Sequence, residues 1–152
     1  MAESLPKHPS KVYPTRPLSG IKYRVIHHSG VDVDSSPEAV ARYHIETLGW
    51  PGVGYTWLIS WDGTIYMTNW PETMCYNVSQ RNHEVMGILL VGDYSDRWPR
   101  PAQLSSARIL TKALGIALPD TELKGHYEVA LPTSPTACPG RRFPEWRLDI
   151  SQ

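Results

Sequence analysis

Two residues with metal-binding side chains stand out late in the sequence. His126 follows Gly125, and Cys138 precedes a Pro-Gly pair in a stretch rich in loop-forming residues. Zinc prefers imidazole nitrogen and thiolate sulfur, and a catalytic zinc site combines three protein ligands with an open position for water. The third ligand must come from elsewhere, and the other dense histidine feature is His27-His28. We therefore expect a site built from two histidines and one cysteine.

The histidine pair closes a predicted strand. Tyr23 to His28 combines aromatic and β-branched residues ahead of a Ser-Gly turn, which is typical of a strand. Successive side chains of a strand point to opposite faces, so His27 and His28 point in opposite directions. Only one of them can easily face a metal ion. Alternation alone leaves open which of the two it is.

Four short motifs follow one another along most of the chain, from about Tyr23 to Phe143. They are Val25-Ile26-His27-His28-Ser29, Gly52-Val53-Gly54-Tyr55, Gly125-His126 and Thr136-Ala137-Cys138-Pro139-Gly140. In this order they resemble the zinc-dependent N-acetylmuramoyl-L-alanine amidases. That family includes small phage lysozyme-amidases and the peptidoglycan recognition proteins. Each motif alone has low specificity, whereas the ordered set is specific.

The resemblance implies a role for each motif. His27, the first histidine of the pair, would bind one Zn²⁺ per chain together with His126 and Cys138. The hydroxyl of Tyr55 would point at the metal, and Thr136 would line the site. The implied reaction is hydrolysis of the amide bond between N-acetylmuramic acid and L-alanine in bacterial peptidoglycan. Zinc suits this reaction because it activates water near neutral pH and polarises the carbonyl.

Aromatic and basic side chains near the motifs are candidate substrate contacts. Trp50, Trp70 and Tyr76 could stack on sugar rings or on the stem peptide, and Arg141 could meet a stem carboxylate. Each also has a simpler structural interpretation. The sequence contains six tryptophans, which can equally form a core, and a pair such as Arg141-Arg142 is more often merely exposed.

The chain departs from the family pattern in two places. His126 and Cys138 are twelve residues apart, more than is usual in relatives, which predicts a changed rim of the substrate groove. Leu89 and Leu90 follow Gly87-Ile88, where some amidases that recycle wall fragments carry a catalytic glutamate. This difference disfavours a glutamate-assisted mechanism.

Three functions are compatible with the resemblance. The first is a phage or prophage endolysin, and the second is a cytosolic amidase that recycles muropeptides. The third is a non-catalytic peptidoglycan-recognition module, a class of protein that has lost zinc ligands. The joint presence of His27, His126, Cys138 and Tyr55 favours an enzyme over a binding module.

Composition describes an ordinary globular domain without a bulk charge. Lysine plus arginine equals aspartate plus glutamate at 15 each, so nothing in the charge balance predicts nucleic-acid binding. Two cysteines cannot form a disulfide framework. No apolar run approaches the ~18 residues of a membrane span, and the start lacks the apolar core of a signal peptide. We expect a monomer without stable membrane insertion, made soluble in a host cytoplasm and acting on the cell wall after release.

The order of the elements predicts an α/β fold. Residues 1–20 are an extended, proline-rich arm, and residues 21–152 form the catalytic domain. Ser35 and Glu38 predict a capping box for a helix that runs to Leu48, and a second helix spans about Pro101 to Ala117. We expect a single domain with a central mixed β-sheet, helices on both faces and the zinc site at one end of the sheet.

Overall fold

The computed structural model describes residues 2–152, and within that range the chain forms five strands and four α-helices. The strands are β1 (Tyr23–His28), β2 (Trp57–Ile59), β3 (Ile65–Met67), β4 (Val85–Leu90) and β5 (Glu122–Gly125). The helices are α1 (Pro37–Glu46), α2 (Pro101–Ala117), α3 (His126–Val129) and α4 (Phe143–Ile150). Short 3-10 helices at Leu18–Gly20 and Asn82–Glu84 precede β1 and β4.

The five strands form one mixed sheet in the order β3-β2-β4-β1-β5. β1 pairs in parallel with β4 and β5, β2 pairs in parallel with β4, and only the β2–β3 hairpin is antiparallel. All six residues of β4 are buried, as expected for a central strand covered on both faces. The predicted mixed sheet is therefore confirmed.

One face of the sheet packs against α2 and α4. Ile26 and Ile88 project from adjacent strands into a cluster that includes Leu110 of α2 and Trp146 of α4. α2 has the predicted bounds, because its apolar residues recur at helical spacing and Pro101 occupies the first turn. This cluster is the main core of the domain.

The opposite face packs against α1, so helices cover both faces as predicted. Val40 and Ala41 of α1 contact a cluster containing Leu58 and Leu89 of the sheet. The helix begins one residue later than expected, because the hydroxyl of Ser36 accepts the hydrogen bond from the amide of Ala39 at 3.2 Å.

The N-terminal arm packs on the domain. Leu5 and Tyr13 are buried, and the Tyr13 hydroxyl donates to the carbonyl of Gly52 at 2.9 Å. Backbone bonds join the arm to the loop after β3, including the amide of Met74 donating to the carbonyl of Pro14. Within residues 2–152, no helix is long and apolar enough to cross a bilayer.

Two elements beside the expected site are not predicted by the sequence pattern. β5 is a four-residue edge strand whose side chains are mostly polar, so it has no apolar alternation to reveal it. His126 begins α3, a single helical turn that the sequence pattern around it does not predict. The carboxylate of Glu128 stabilises that turn by accepting from the Gly125 amide at 2.6 Å.

Candidate metal centre

Three candidate donors meet at the carboxyl end of the sheet. His27 lies near the end of β1, and His126 follows the last residue of β5. Because β1 and β5 are parallel neighbours, their carboxyl ends bring the two imidazoles together, with ring centroids 4.5 Å apart. The ligand atoms of His27, His126 and Cys138 all lie within 4.8 Å of one another. The structure thus gathers residues that are separated by up to 111 positions in sequence.

Cys138 is held in place from both sides. Its Sγ lies 3.8 Å from Nδ1 of His27 and accepts a hydrogen bond from the amide of His28 at 3.4 Å. The hydroxyl oxygen of Thr136 accepts from the Cys138 amide at 3.1 Å, and the Cys138 carbonyl accepts from the amide of Tyr127 at 2.9 Å. Thr136 therefore shapes the turn that presents the sulfur.

The structure separates the roles of the two adjacent histidines. The Nδ1 of His28 accepts a hydrogen bond from the amide of Tyr94 at 3.0 Å and lies 3.7 Å from the carboxylate of Asp93. The ring of His28 is thus engaged by the loop after β4. His27, on the opposite face of β1, is the histidine that joins the donor cluster.

Burial sets the protonation of the three donors. It lowers the pKa of His27 well below its ordinary value and the pKa of His126 to about 4. It raises the pKa of the Cys138 thiol to about 12. Both imidazoles are therefore neutral at pH 7 and have a lone pair for a cation. A bound cation favours the thiolate, so donor types, number and spacing all fit zinc.

Tyr55 lies next to the donor cluster. Its ring centroid is 5.0 Å from that of His27, and burial, followed by the neighbouring Cys138, raises the pKa of its phenol. The phenol therefore remains protonated and can donate a hydrogen bond. The preceding Gly54 packs closely against the loop after β3, because a Cβ there would lie 2.5 Å from the carbonyl oxygen of Tyr76.

A cavity of about 550 Å³ opens beside the cluster. Tyr55, His126 and Thr136 line it together with two of the predicted substrate contacts, Trp50 and Tyr76. The aromatic rings of these two residues meet edge to face, with centroids 6.0 Å apart. Among the described residues that line this cavity, none is Asp, Glu, Lys or Arg. Its wall therefore offers stacking surfaces and uncharged hydrogen-bonding groups.

The other two predicted contacts lie elsewhere. Trp70 is half-exposed and lines a separate cavity of about 260 Å³ between the N-terminal arm and the loop after β3. Arg141 is exposed and forms an ion pair with Asp96. The structure therefore does not bring Trp70 or Arg141 to the cavity beside the donor cluster.

One residue of the site is missed by sequence reasoning. Asn77 Oδ1 lies 3.1 Å from Nε2 of His27, the ring nitrogen that faces away from Cys138. The contact joins residues 50 positions apart, so no local spacing could reveal it.

Comparisons with known proteins agree with this geometry. The family model described as N-acetylmuramoyl-L-alanine amidase matches residues 16–141. Peptidoglycan-recognition protein SC2 of Drosophila simulans is 30% identical over an alignment of 132 residues, which covers 80% of this chain and 70% of that protein.

Two solved structures also superpose closely. An endolysin of a Thermus scotoductus bacteriophage has a TM-score of 0.82 at 29% identity, covering 93% of this chain and 91% of that one. The N-acetylmuramoyl-L-alanine amidase LysC from Clostridium intestinale has a TM-score of 0.77 at 25% identity, covering 97% of both chains. With its donor cluster, its fold and a family match over most of its length, the chain belongs to the N-acetylmuramoyl-L-alanine amidase family.

Proposed function

We propose that the protein uses one Zn²⁺ to hydrolyse the amide bond between N-acetylmuramic acid and L-alanine in bacterial peptidoglycan. The observation that carries this proposal is the cluster of His27, His126 and Cys138, with donor atoms within 4.8 Å of one another. Tyr55 lies against this cluster, and an open cavity gives a substrate access to it. Three protein donors with an accessible fourth position are the arrangement of a catalytic zinc site.

Hydrolysis of an amide needs a nucleophile, charge stabilisation on the carbonyl oxygen and a proton for the leaving amine. Zinc, when bound, makes water nucleophilic near neutral pH and polarises the carbonyl. Two neutral imidazoles and one thiolate would leave the centre with a net positive charge. Tyr55 holds its proton and can donate a hydrogen bond to the developing oxyanion. Thr136 contributes a hydroxyl but no charge.

The substrate would lie in the cavity that Trp50 and Tyr76 line. Aromatic faces and edges suit sugar rings, while the neutral polar residues of the wall suit the N-acetyl and peptide amides. Several relatives are named as peptidoglycan recognition proteins, which supports peptidoglycan as the ligand. We assign Trp50 and Tyr76 as substrate contacts.

The biological role that we propose is that of an endolysin of a phage or prophage, acting on the cell wall after release. The similar solved structures include a phage endolysin and clostridial enzymes named as amidases. A binding function alone is the second candidate, because recognition proteins are among the relatives. The complete donor cluster beside Tyr55 favours hydrolysis over binding alone.

The deciding experiment compares purified wild type with Cys138→Ala. We expect one zinc per wild-type chain and clearing of purified sacculi, with new amino groups but no new reducing sugars. Cys138→Ala should lose both zinc and lysis. Cys75→Ala is the matched control, because Cys75 is the other free cysteine and is buried outside the donor cluster.

Each other outcome points to a different function. Binding of sacculi without new amino groups would leave a recognition module. New reducing ends would mean that a glycosidic bond is cut. Activity on soluble muropeptides without clearing of sacculi would favour the recycling amidase.

A further inference from the structure

We propose that Asn77 is a positioning residue that fixes the tautomer and orientation of His27, so that Nδ1 of this imidazole faces the donor cluster. The inference rests on the proposed metal site, but it concerns the protein's own side chains. A neutral imidazole carries one proton, so the partner of one nitrogen decides which nitrogen has the free lone pair. In this structure Nε2 of His27 meets Asn77 at 3.1 Å, whereas Nδ1 lies 3.8 Å from Cys138 Sγ.

The orientation of the Asn77 amide is fixed by its other end. Asn77 Nδ2 lies 3.3 Å from the carbonyl oxygen of Cys75, which can only accept a hydrogen bond. The NH₂ group must therefore face Cys75, and the Oδ1 atom must face His27. Because Oδ1 can only accept, Nε2 of His27 must be the protonated nitrogen. The lone pair is then on Nδ1, beside the sulfur.

The sheet provides the space in which the Asn77 side chain lies. Gly87 of β4 has no side chain, and a Cβ there would lie 2.9 Å from both Cγ and Oδ1 of Asn77. Gly87 is paired with Val25 of β1, two residues before His27 and on the same face of that strand. The side-chain amide of Asn77 thus packs against the backbone of Gly87, next to the His27 imidazole that it contacts.

The backbone of Asn77 is also anchored. Asn82 Oδ1 accepts hydrogen bonds from the amides of Asn77 at 2.8 Å and Val78 at 2.9 Å. His27 is 1% exposed, so loss of the Asn77 acceptor would leave its Nε2–H buried without a hydrogen-bond partner, which costs free energy. Removal of the Asn77 carbonyl oxygen should therefore let the ring adopt the other tautomer, with the proton on Nδ1.

The test is the tautomer of His27 in metal-free protein at about pH 8, where an imidazole is neutral. Long-range ¹H–¹⁵N spectra distinguish a protonated Nε2 from a protonated Nδ1. Wild type should show the Nε2–H form. Asn77→Leu, which keeps the volume but removes the acceptor, should show the Nδ1–H form or a mixture. Asn77→Asp restores an acceptor and should restore the Nε2–H form.

Zinc affinity, measured by competition with a chelator, is the second readout. We expect Asn77→Leu to bind zinc about 10- to 100-fold more weakly, the range typical of residues that orient a metal-binding histidine. Gly87→Ala should have the same effect with Asn77 still present, because the added methyl group displaces the amide. Asn77→Asp keeps an acceptor, so its zinc affinity should exceed that of Asn77→Leu and lie closer to that of the wild type.

Clear results would overturn the inference. One is an Nδ1–H tautomer in metal-free wild type, which needs no variant and so holds even if Asn77→Leu fails to fold. Another is an unchanged tautomer and unchanged zinc affinity in Asn77→Leu. The spectra do not depend on catalysis, so a wild type with the Nε2–H form but no amidase activity would refute the proposed function and leave this inference standing.

Discussion

At the scale of single residues, the Tyr55 phenol is the group beside the donor cluster whose removal is most informative. Burial and the neighbouring Cys138 raise its pKa, so it keeps its proton at neutral pH and can donate a hydrogen bond. Tyr55→Phe removes only the hydroxyl. We expect kcat to fall by about 10²- to 10³-fold, as for loss of one oxyanion donor, with zinc content and unfolding midpoint unchanged.

Tyr66→Phe is the control for this substitution, since Tyr66 lies on β3 and packs against the same core cluster as Tyr55. Its activity should equal that of wild type. Full activity in Tyr55→Phe would remove the phenol from the mechanism. A loss of zinc together with activity would instead make it a structural support of the site.

His44 is predicted to make the stability of the metal-free protein depend on pH. Its Nδ1 accepts from the Gly54 amide at 2.9 Å, and burial lowers its pKa to about 4. The unfolded value is about 6.5. Its contribution to stability is therefore complete above pH ~6.5 and is lost as pH falls toward 4, because only the unfolded chain takes up the proton.

Urea unfolding of metal-free protein between about pH 7.5 and pH 4.5 measures this effect. The free energy of unfolding of the wild type should fall by about 2 kcal/mol more than that of His44→Gln over that interval. His27 and His126 have lowered pKa values as well, but they remain in both proteins and cancel in the difference. His83→Gln, at an exposed position, is the control. Equal pH slopes in wild type and His44→Gln would contradict the assignment.

At the scale of elements, the turn after Cys138 depends on a glycine. Gly140 has a φ of 118°, and a Cβ there would lie 1.8 Å from the carbonyl oxygen of Tyr94. Gly140→Ala should therefore lower the free energy of unfolding by at least about 3 kcal/mol and weaken zinc binding. Differential scanning fluorimetry and chelator competition would measure both effects.

Gly20→Ala is the matched control, because the nearest atoms to its added Cβ are at 3.8 and 3.9 Å. That change should alter the unfolding free energy by less than about 0.5 kcal/mol. Equal stability of the two variants would show that the turn tolerates a side chain and does not position Cys138.

The elements differ in how far the sequence predicts them. α2 has the expected bounds, because its apolar residues recur at helical spacing and the proline in its first turn marks the same start. α1 was expected to be capped by Ser35, whereas Ser36 makes the bond, since two adjacent serines offer the same chemistry in different backbone positions. β5 was not expected, because an edge strand needs little apolar pattern.

The same contrast holds within the site. His27, His126 and Cys138 were chosen from residue type and family motif, and the structure brings them together. The four substrate contacts are predicted by residue type alone, and only Trp50 and Tyr76 line the cavity, whereas Trp70 and Arg141 lie away from it. Asn77 could not be found from sequence, because its role depends on contacts with His27 and Gly87 that only the folded sheet creates.

At the scale of the whole molecule, the N-terminal arm packs against residues that form the wall of the cavity beside the donor cluster. Its backbone joins the loop around Pro51 through His8, and the Tyr13 ring packs edge to face against Tyr76 at 4.8 Å. Trp50 is next to Pro51 in sequence, and both Trp50 and Tyr76 line the cavity beside the donor cluster. The arm is therefore part of the structure that shapes the cavity wall.

This arrangement predicts that Tyr13→Ala weakens substrate binding more than metal binding. The change removes a buried ring and its bond to Gly52, which should cost about 3–5 kcal/mol of stability. KM should rise because Trp50 and Tyr76 lose their support, while zinc affinity should hold because β1, α3 and the Cys138 turn carry the donors. Hydrogen exchange should quicken at residues 50–53 and 72–76 but not in β4. Val12→Ala is the control, because the neighbouring Val12 side chain is 87% exposed, and it should change neither stability, KM nor hydrogen exchange. Identical behaviour of the two variants would show that the arm does not support the cavity.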